Sequence, residues 1–121
     1  KSKGLESMTD LAKRAVACRH WRWMPGMLWL LIDEGGVCYN CDRVTQANLV
    51  FSDALPDLSD PATVGCLLAL VREAWGDRCL HVGLLPARWG VWTSQNMPLH
   101  ECVGKGLTEA EALVAALEAA P

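Results

Sequence analysis

The chain has 121 residues, of which 51% are hydrophobic and 21% charged, a balance that is typical of one globular domain and excludes a disordered chain. Its net charge of −3 at pH 7 argues against nucleic-acid binding, because neutralising phosphates requires concentrated Lys and Arg. No apolar run reaches the roughly 18 residues of a membrane-spanning helix. We therefore expect a soluble cytoplasmic protein that makes no membrane contact.

The beginning of the chain divides into a tail and a helix. Residues 1–7 are typical of an appended cloning tail, which leaves 8–121 as a single domain that starts at Met8. A first helix is predicted from about Thr9, as its N-cap, to Cys18. Its apolar stripe consists of Leu11, Ala12 and Ala15.

A β-hairpin follows the first helix. Met27–Asp33 and Val37–Arg43 are predicted as paired strands, and Glu34-Gly35-Gly36 as the turn between them. The run Met27–Ile32 is so apolar that it predicts a buried strand. A third strand is expected over about Asn48 to Phe51.

The middle of the chain contains the clearest helix signal. Ser52–Pro61 resembles a linker, pinned by Leu55 and Leu58. Asp60 is then the N-cap and Gly76 the stop of a helix that is apolar around most of its circumference. Such a helix is expected to pack on several sides, mainly against a sheet.

The last part of the chain alternates strands with a final helix. Cys79–Leu85 and Arg88–Ser94 are predicted strands, and a short strand is expected around His100–Val103. Thr108 and Glu111 form a capping box that begins the last helix. The order α-βββ-α-ββ(β)-α predicts an α+β fold, with an antiparallel sheet of about four to six strands packed against about three helices.

Two cysteines form half of a zinc pattern. Cys38-x-x-Cys41 has the spacing of two zinc ligands, and a Cys/His pair two residues apart could supply the others. Three such pairs occur, Cys18 with His20, Cys79 with His81 and His100 with Cys102, of which Cys79 and His81 are the candidate ligands. On a regular strand Cys38 and Cys41 point to opposite faces, one buried and one exposed, so chelation would need a tight turn at Tyr39-Asn40. The alternative is that the cysteines pack as small hydrophobes. We predict no cofactor, with zinc as the alternative.

Catalysis has weaker support. Cys79 with His81, or Cys102 with His100, could form a thiolate–imidazole pair, but nearness in sequence is the only indication. The alternative is a packed cysteine beside a surface histidine. No catalytic residue is therefore predicted.

Tryptophan is the unusual residue of this chain. Six Trp occur against one Phe and one Tyr, and so small a core is not expected to hold all of them. Trp29 and Trp75 fit apolar patterns and are predicted in the core. Exposed aromatic and arginine side chains are typical of partner-binding surfaces. The predicted partner-binding residues are Arg19, Trp21, Arg22, Trp23, Trp89 and Trp92.

Three segments resemble a known group of proteins. Leu58–Gly76, Trp21–Met27 and the closing Glu109–Glu118 are similar to blocks in uncharacterised small proteins of bacteriophages, prophages and environmental DNA. The resemblance implies a phage or mobile-element origin and a place in the cytoplasm of a bacterial host. It implies no activity.

Three hypotheses about function follow. The first is a small accessory protein that binds a protein partner or a second copy of itself. The second is a metal-binding or thiol-dependent protein built on Cys38 and Cys41 together with Cys/His pairs. The third is a small cysteine or histidine enzyme.

Overall fold

The computed structural model describes residues 7–46, 50–94 and 102–121. Within them lie three helices and six strands, so the predicted α+β fold is confirmed, but the strands divide between two antiparallel sheets of three. No helix in these ranges is long and apolar enough to cross a membrane. The elements are α1 (Met8–Ala17), β1 (Leu28–Ile32), β2 (Cys38–Arg43), β3 (Leu55–Pro56), α2 (Pro61–Trp75), β4 (His81–Leu84), β5 (Trp89–Trp92), β6 (Gly104–Gly106) and α3 (Glu109–Ala119).

Helix α1 begins earlier than predicted. Its N-cap is Ser7, whose side chain accepts a hydrogen bond from the Asp10 N–H at 3.1 Å. Thr9 already lies inside the helix, so its predicted capping role is wrong. Ser7 takes this role because its backbone is extended and its hydroxyl reaches the third N–H of the helix.

The N-terminal sheet has the strand order β2-β1-β3. The predicted turn Glu34–Gly36 is confirmed: Gly36 has a φ of +84°, and an Asp33 carboxylate oxygen accepts from the N–H groups of Gly35 and Val37. The predicted third strand is misplaced, since Asn48 lies outside the described residues and Phe51 belongs to no strand.

The actual third strand is β3, in the segment predicted to be a linker. Leu55 and Pro56 pair with Leu30 and Trp29 of β1. Proline is tolerated here because β3 lies at the edge of the sheet, where a missing N–H breaks no ladder. Leu58, predicted to pin this segment, is buried.

Helix α2 has the predicted ends. Asp60 accepts from the Thr63 N–H at 3.0 Å, and Gly76 closes the helix with a φ of +63°. Its packing is less complete than predicted, because only Thr63, Leu67, Leu70 and Val71 are buried. The helix contacts α3, and the Trp75 indole N–H donates to the Ala116 carbonyl at 2.8 Å.

The C-terminal sheet has the order β4-β5-β6. Its last strand was predicted around His100–Val103, but His100 lies outside the described residues and the strand is Gly104–Gly106. Two glycines are not a strand signal in sequence, yet here they let α3 lie directly on the strand. A side chain on Gly104 would place its Cβ 2.5 Å from the Ala116 nitrogen.

Helix α3 is the centre of the core. The predicted cap is confirmed, since the Thr108 hydroxyl accepts from the Glu111 N–H at 3.1 Å, and Glu111 in turn accepts from the Leu107 N–H at 2.9 Å. The helix packs against α1, α2 and the C-terminal sheet. Its buried residues are Ala110, Ala112, Leu113, Val114, Ala116 and Leu117.

The contact between β6 and α3 yields a first prediction. We expect Gly104→Ala to lower the free energy of unfolding by about 1–3 kcal/mol, because the added methyl group overpacks against α3. The matched control is Gly65→Ala in α2, where a new Cβ meets nothing within 4 Å. That change should stabilise by about 0.5–1 kcal/mol, since alanine favours the helix. Urea unfolding measures both, and equal effects of the two variants would contradict this packing.

Candidate functional site

The two faces of the N-terminal sheet differ in their surroundings. One face, here the core face, carries Trp29, Leu31 and Pro56, together with Asn40 and Asp42. Leu31 and Pro56 are buried, and Trp29 packs against the core. This face therefore holds the sheet on the body of the protein.

The opposite face, here the open face, is different. Cross-strand partners share a face and residues two apart on a strand do too, so the register assigns seven side chains to it. None of the seven is buried. They are Leu28, Leu30 and Ile32 of β1, Cys38, Cys41 and Arg43 of β2, and Leu55 of β3, which also packs against the core.

The apolar character of the open face comes from β1, which has apolar side chains on both of its sides. The strand reads Leu-Trp-Leu-Leu-Ile, and only Leu31 in it is buried. The prediction that the whole apolar run is a buried strand is thus wrong for Leu28, Leu30 and Ile32, which are half-buried. A strand that is apolar on both faces is typical of a sheet covered on both faces.

A bulge brings the two predicted zinc ligands together. Leu31 pairs with Asn40 but Ile32 pairs with Cys38, so the register skips Tyr39. An extra residue reverses the alternation of side chains beyond it. Cys38 and Cys41, three apart in sequence, consequently lie on one face. The predicted arrangement of one buried and one exposed cysteine is wrong, because both are exposed.

The two thiols lie on the same face of the sheet and both are exposed. Desolvation raises the pKa of Cys41, and the charge and side chain of Cys38 and the carboxylates Asp42 and Asp57 add to the effect. The Cys38 thiol donates to the Asn40 carbonyl at 3.2 Å. Cys38 and Cys41 therefore form a pair of free thiols, here the dithiol, that is open to solvent.

Arg43 closes one end of the open face. Its guanidinium donates to the Asp60 carboxylate at 2.5 Å and to the Gly26 carbonyl at 3.1 Å. Asp60 is also the N-cap of α2 and accepts from the Thr63 hydroxyl at 2.9 Å. The charge on this face is thus paired, and the pairing ties β2 to α2.

The other predicted zinc ligands lie elsewhere. Cys79 precedes β4 and His81 lies on it, in the C-terminal sheet, and the His81 ring stacks on Trp92 with centroids 5.5 Å apart. Within residues 7–46, 50–94 and 102–121, no three His, Cys, Asp or Glu side chains lie close enough together to hold a metal ion. The structure does not bring Cys79 and His81 to the Cys38–Cys41 dithiol.

The two cysteine–histidine pairs considered for catalysis gain no support from the structure. Cys79 is exposed, and its N–H donates to the Asp77 carboxylate. His100, the partner proposed for Cys102, lies outside the described residues.

One tryptophan lies in the core and five lie at its edge. Trp92 is buried, and the other five are half-buried and pack against the core, as expected for a core too small to hold all six. Glycine makes room for one of them: a Cβ on Gly90 would lie 2.8 Å from the Trp92 ring. Trp29 and Trp75, predicted in the core, pack against it from its edge.

The predicted partner-binding residues do not form one surface. Trp21 and Trp23 pack edge to face with centroids 5.3 Å apart. Arg22 pairs with Glu73, and Arg19 donates to the His20 ring. Trp89 and Trp92 lie on β5, in the other sheet. Their role in partner binding stays a prediction.

Comparisons with known proteins add no functional assignment. No protein-family model matches the chain, and no curated protein and no solved structure is similar to it. The resemblance to small phage proteins stays a prediction.

Sequence reasoning missed Leu28, Leu30 and Ile32 as surface residues. The signal was present, since β1 lacks the polar alternation of a half-exposed strand, while its neighbour β2 reads Cys-Tyr-Asn-Cys-Asp-Arg and is polar. When an apolar strand pairs with a polar edge strand, the apolar side chains on its second face need cover from outside their own sheet. The bulge at Tyr39 has no comparable signal.

The ion pair between Arg43 and Asp60, at the end of the open face, makes the stability of the fold depend on pH. Hydrogen bonds from Arg43 and Thr63 hold the pKa of Asp60 below its ordinary value of 3.8. A lowered pKa stabilises the fold above the pKa of the unfolded chain, and this stabilisation is lost as the pH falls through the folded-state pKa. We expect Asp60→Asn to be less stable than the wild type at pH 7, with a difference that shrinks below about pH 4.

Urea unfolding between pH 7 and pH 2 measures this difference. Arg43→Gln removes the hydrogen bond that lowers the pKa of Asp60 most, and it should reproduce part of the same pH profile. A difference between the wild type and Asp60→Asn that stays constant across the whole range would contradict the assignment.

Proposed function

We propose that this chain is a small accessory protein that works by binding, and that its binding surface is the open face, occupied by a second copy of the chain. The observation that supports this most directly is that β1 is apolar on both faces, while Leu28, Leu30 and Ile32 on the open face are only half-buried. A second copy supplies the missing cover when two open faces stack across a twofold axis.

The apolar area of the open face suits association. Leu28, Leu30, Ile32 and Leu55 are half-buried, so each keeps part of its apolar surface in water. Full burial of a wholly exposed side chain of this kind stabilises by about 1.5–3 kcal/mol, and only the part still in water adds to this on association. Four such side chains from each copy together supply a few kcal/mol, roughly, part of which offsets the entropy lost on association.

Charge favours a second copy as the occupant. A twofold interface brings each side chain near its own symmetry mate, so an unpaired charge would meet a like charge. Arg43 lies on the open face and pairs with the Asp60 carboxylate, and the charge of Asp57 also acts on Arg43. The positive charge of Arg43 is therefore balanced by neighbouring carboxylates.

Origin and function class are part of the proposal. The similarity of Trp21–Met27, Leu58–Gly76 and Glu109–Glu118 to small phage proteins supports an accessory role in a phage or mobile element. An interaction protein also fits a chain in which sequence reasoning finds no catalytic signature. A different protein partner on the open face is the alternative that the following experiment separates from self-association.

We expect the double substitution Leu30→Thr and Ile32→Thr to weaken the dimer by at least about tenfold, because a loss of 1.4 kcal/mol already corresponds to that factor. Threonine is β-branched, a shape that a strand favours, and it removes apolar surface at both positions. Light scattering after size-exclusion chromatography, over a dilution series, measures the mass relative to the 13.2 kDa chain.

The matched control is Leu84→Thr, since Leu84 is an apolar strand residue of the other sheet and is 69% exposed. It should leave the dimer unchanged. A wild type that stays monomeric at every concentration would overturn self-association and leave a different protein as the partner. A dimer that the double variant does not weaken would place the interface elsewhere.

A further inference from the structure

We infer that Cys38 and Cys41 of two copies together bind one zinc ion in the interface formed by the open faces. The inference rests on the proposed self-association and adds a metal site to it. It starts from the position of the dithiol, which lies on the open face beside Leu30 and Ile32.

The placement of the two cysteines suits a metal. Zinc binds thiolates at about 2.3 Å in a tetrahedron, so two sulfur atoms on one ion lie roughly 3.8 Å apart. The bulge at Tyr39 places Cys38 opposite Ile32 and Cys41 opposite Leu30, on one face of the sheet. Both side chains can therefore turn toward one ion.

One chain supplies only half of such a site. A structural zinc ion takes four protein ligands, and among the described residues no third His, Cys, Asp or Glu joins the pair. The second copy contributes an identical pair when the open faces meet. Four cysteines around one ion then complete the coordination, and the twofold axis passes through the metal.

The chemistry of binding balances without a redox step. Four thiols release four protons to water and four zinc–sulfur bonds replace the bonds from zinc to water. The exposed position of both cysteines leaves the metal a path into the site before the copies close on it. Zinc should therefore strengthen the dimer by mass action.

The competing reaction is a disulfide between Cys38 and Cys41. It would need a two-electron oxidant such as a small-molecule disulfide, which would leave as two thiols while the chain loses two hydrogen atoms. The mass of the intact chain distinguishes this product from the reduced dithiol.

The test uses the full, untagged chain, reduced and stripped of metal with a chelator, before and after zinc chloride is added. Native mass spectrometry counts chains and zinc ions, and a dilution series gives the dimer dissociation constant. We expect one zinc per two chains. At free zinc about a hundred times its own dissociation constant, the apparent dimer constant should tighten about 100-fold.

Cys38→Ser and Cys41→Ser should each abolish this tightening. Both residues are exposed, so the variants are expected to fold, and circular dichroism verifies that they do. The matched control is Cys79→Ser, another exposed cysteine, which should bind zinc like the wild type.

The remaining outcomes separate the two proposals. A metal-free dimer that neither binds nor responds to zinc overturns the zinc site and keeps the open-face dimer. Zinc bound to single chains also overturns the shared site. So does a chain that has lost two hydrogen atoms under non-reducing handling and takes up no zinc once it is reduced. A monomer with and without zinc overturns both proposals.

Discussion

The structure depends on one constraint, which is that β1 has apolar side chains on both of its faces. Two layers of cover are needed to remove such a strand from water. The body of the protein supplies one, through the buried Met27, Val44 and Leu31 on the core face. On the other face, Leu28, Leu30 and Ile32 are only half-buried. The proposal of self-association rests on this difference between the two faces and not on any single exposed residue.

The rest of the fold keeps that face open and fixed in place. The helices pack with one another and with the C-terminal sheet, where the glycines of β6 let α3 approach closely. Arg43 and Asp60 tie the edge strand to the start of α2. The bulge at Tyr39 then adds two neighbouring thiols to the same surface. An apolar sheet face and a dithiol are thereby presented together on a rigid support.

Local signals made much of the fold predictable. Asp60 and Gly76 mark the two ends of α2, and Thr108 marks the start of α3. These ends were predictable because capping depends on hydrogen bonds between residues that are close in sequence. The candidate site was less accessible to sequence reasoning. A two-residue edge strand such as Leu55–Pro56 and a skipped residue at Tyr39 depend on pairing with a distant segment. The buried tryptophan is Trp92 and not Trp29 or Trp75, because the space that Gly90 leaves beside its ring is invisible without the fold.

Solvent accessibility of the β1 methyl groups tests the central claim most directly. Labelled leucine and isoleucine methyl groups can be followed by NMR with a soluble paramagnetic probe, at concentrations above and below the dimer dissociation constant. The account predicts that the methyl groups of Leu28, Leu30 and Ile32 are protected when concentrated and become strongly relaxed on dilution, whereas the exposed Leu84 is relaxed throughout. Equal relaxation of the β1 methyl groups at both concentrations would contradict it.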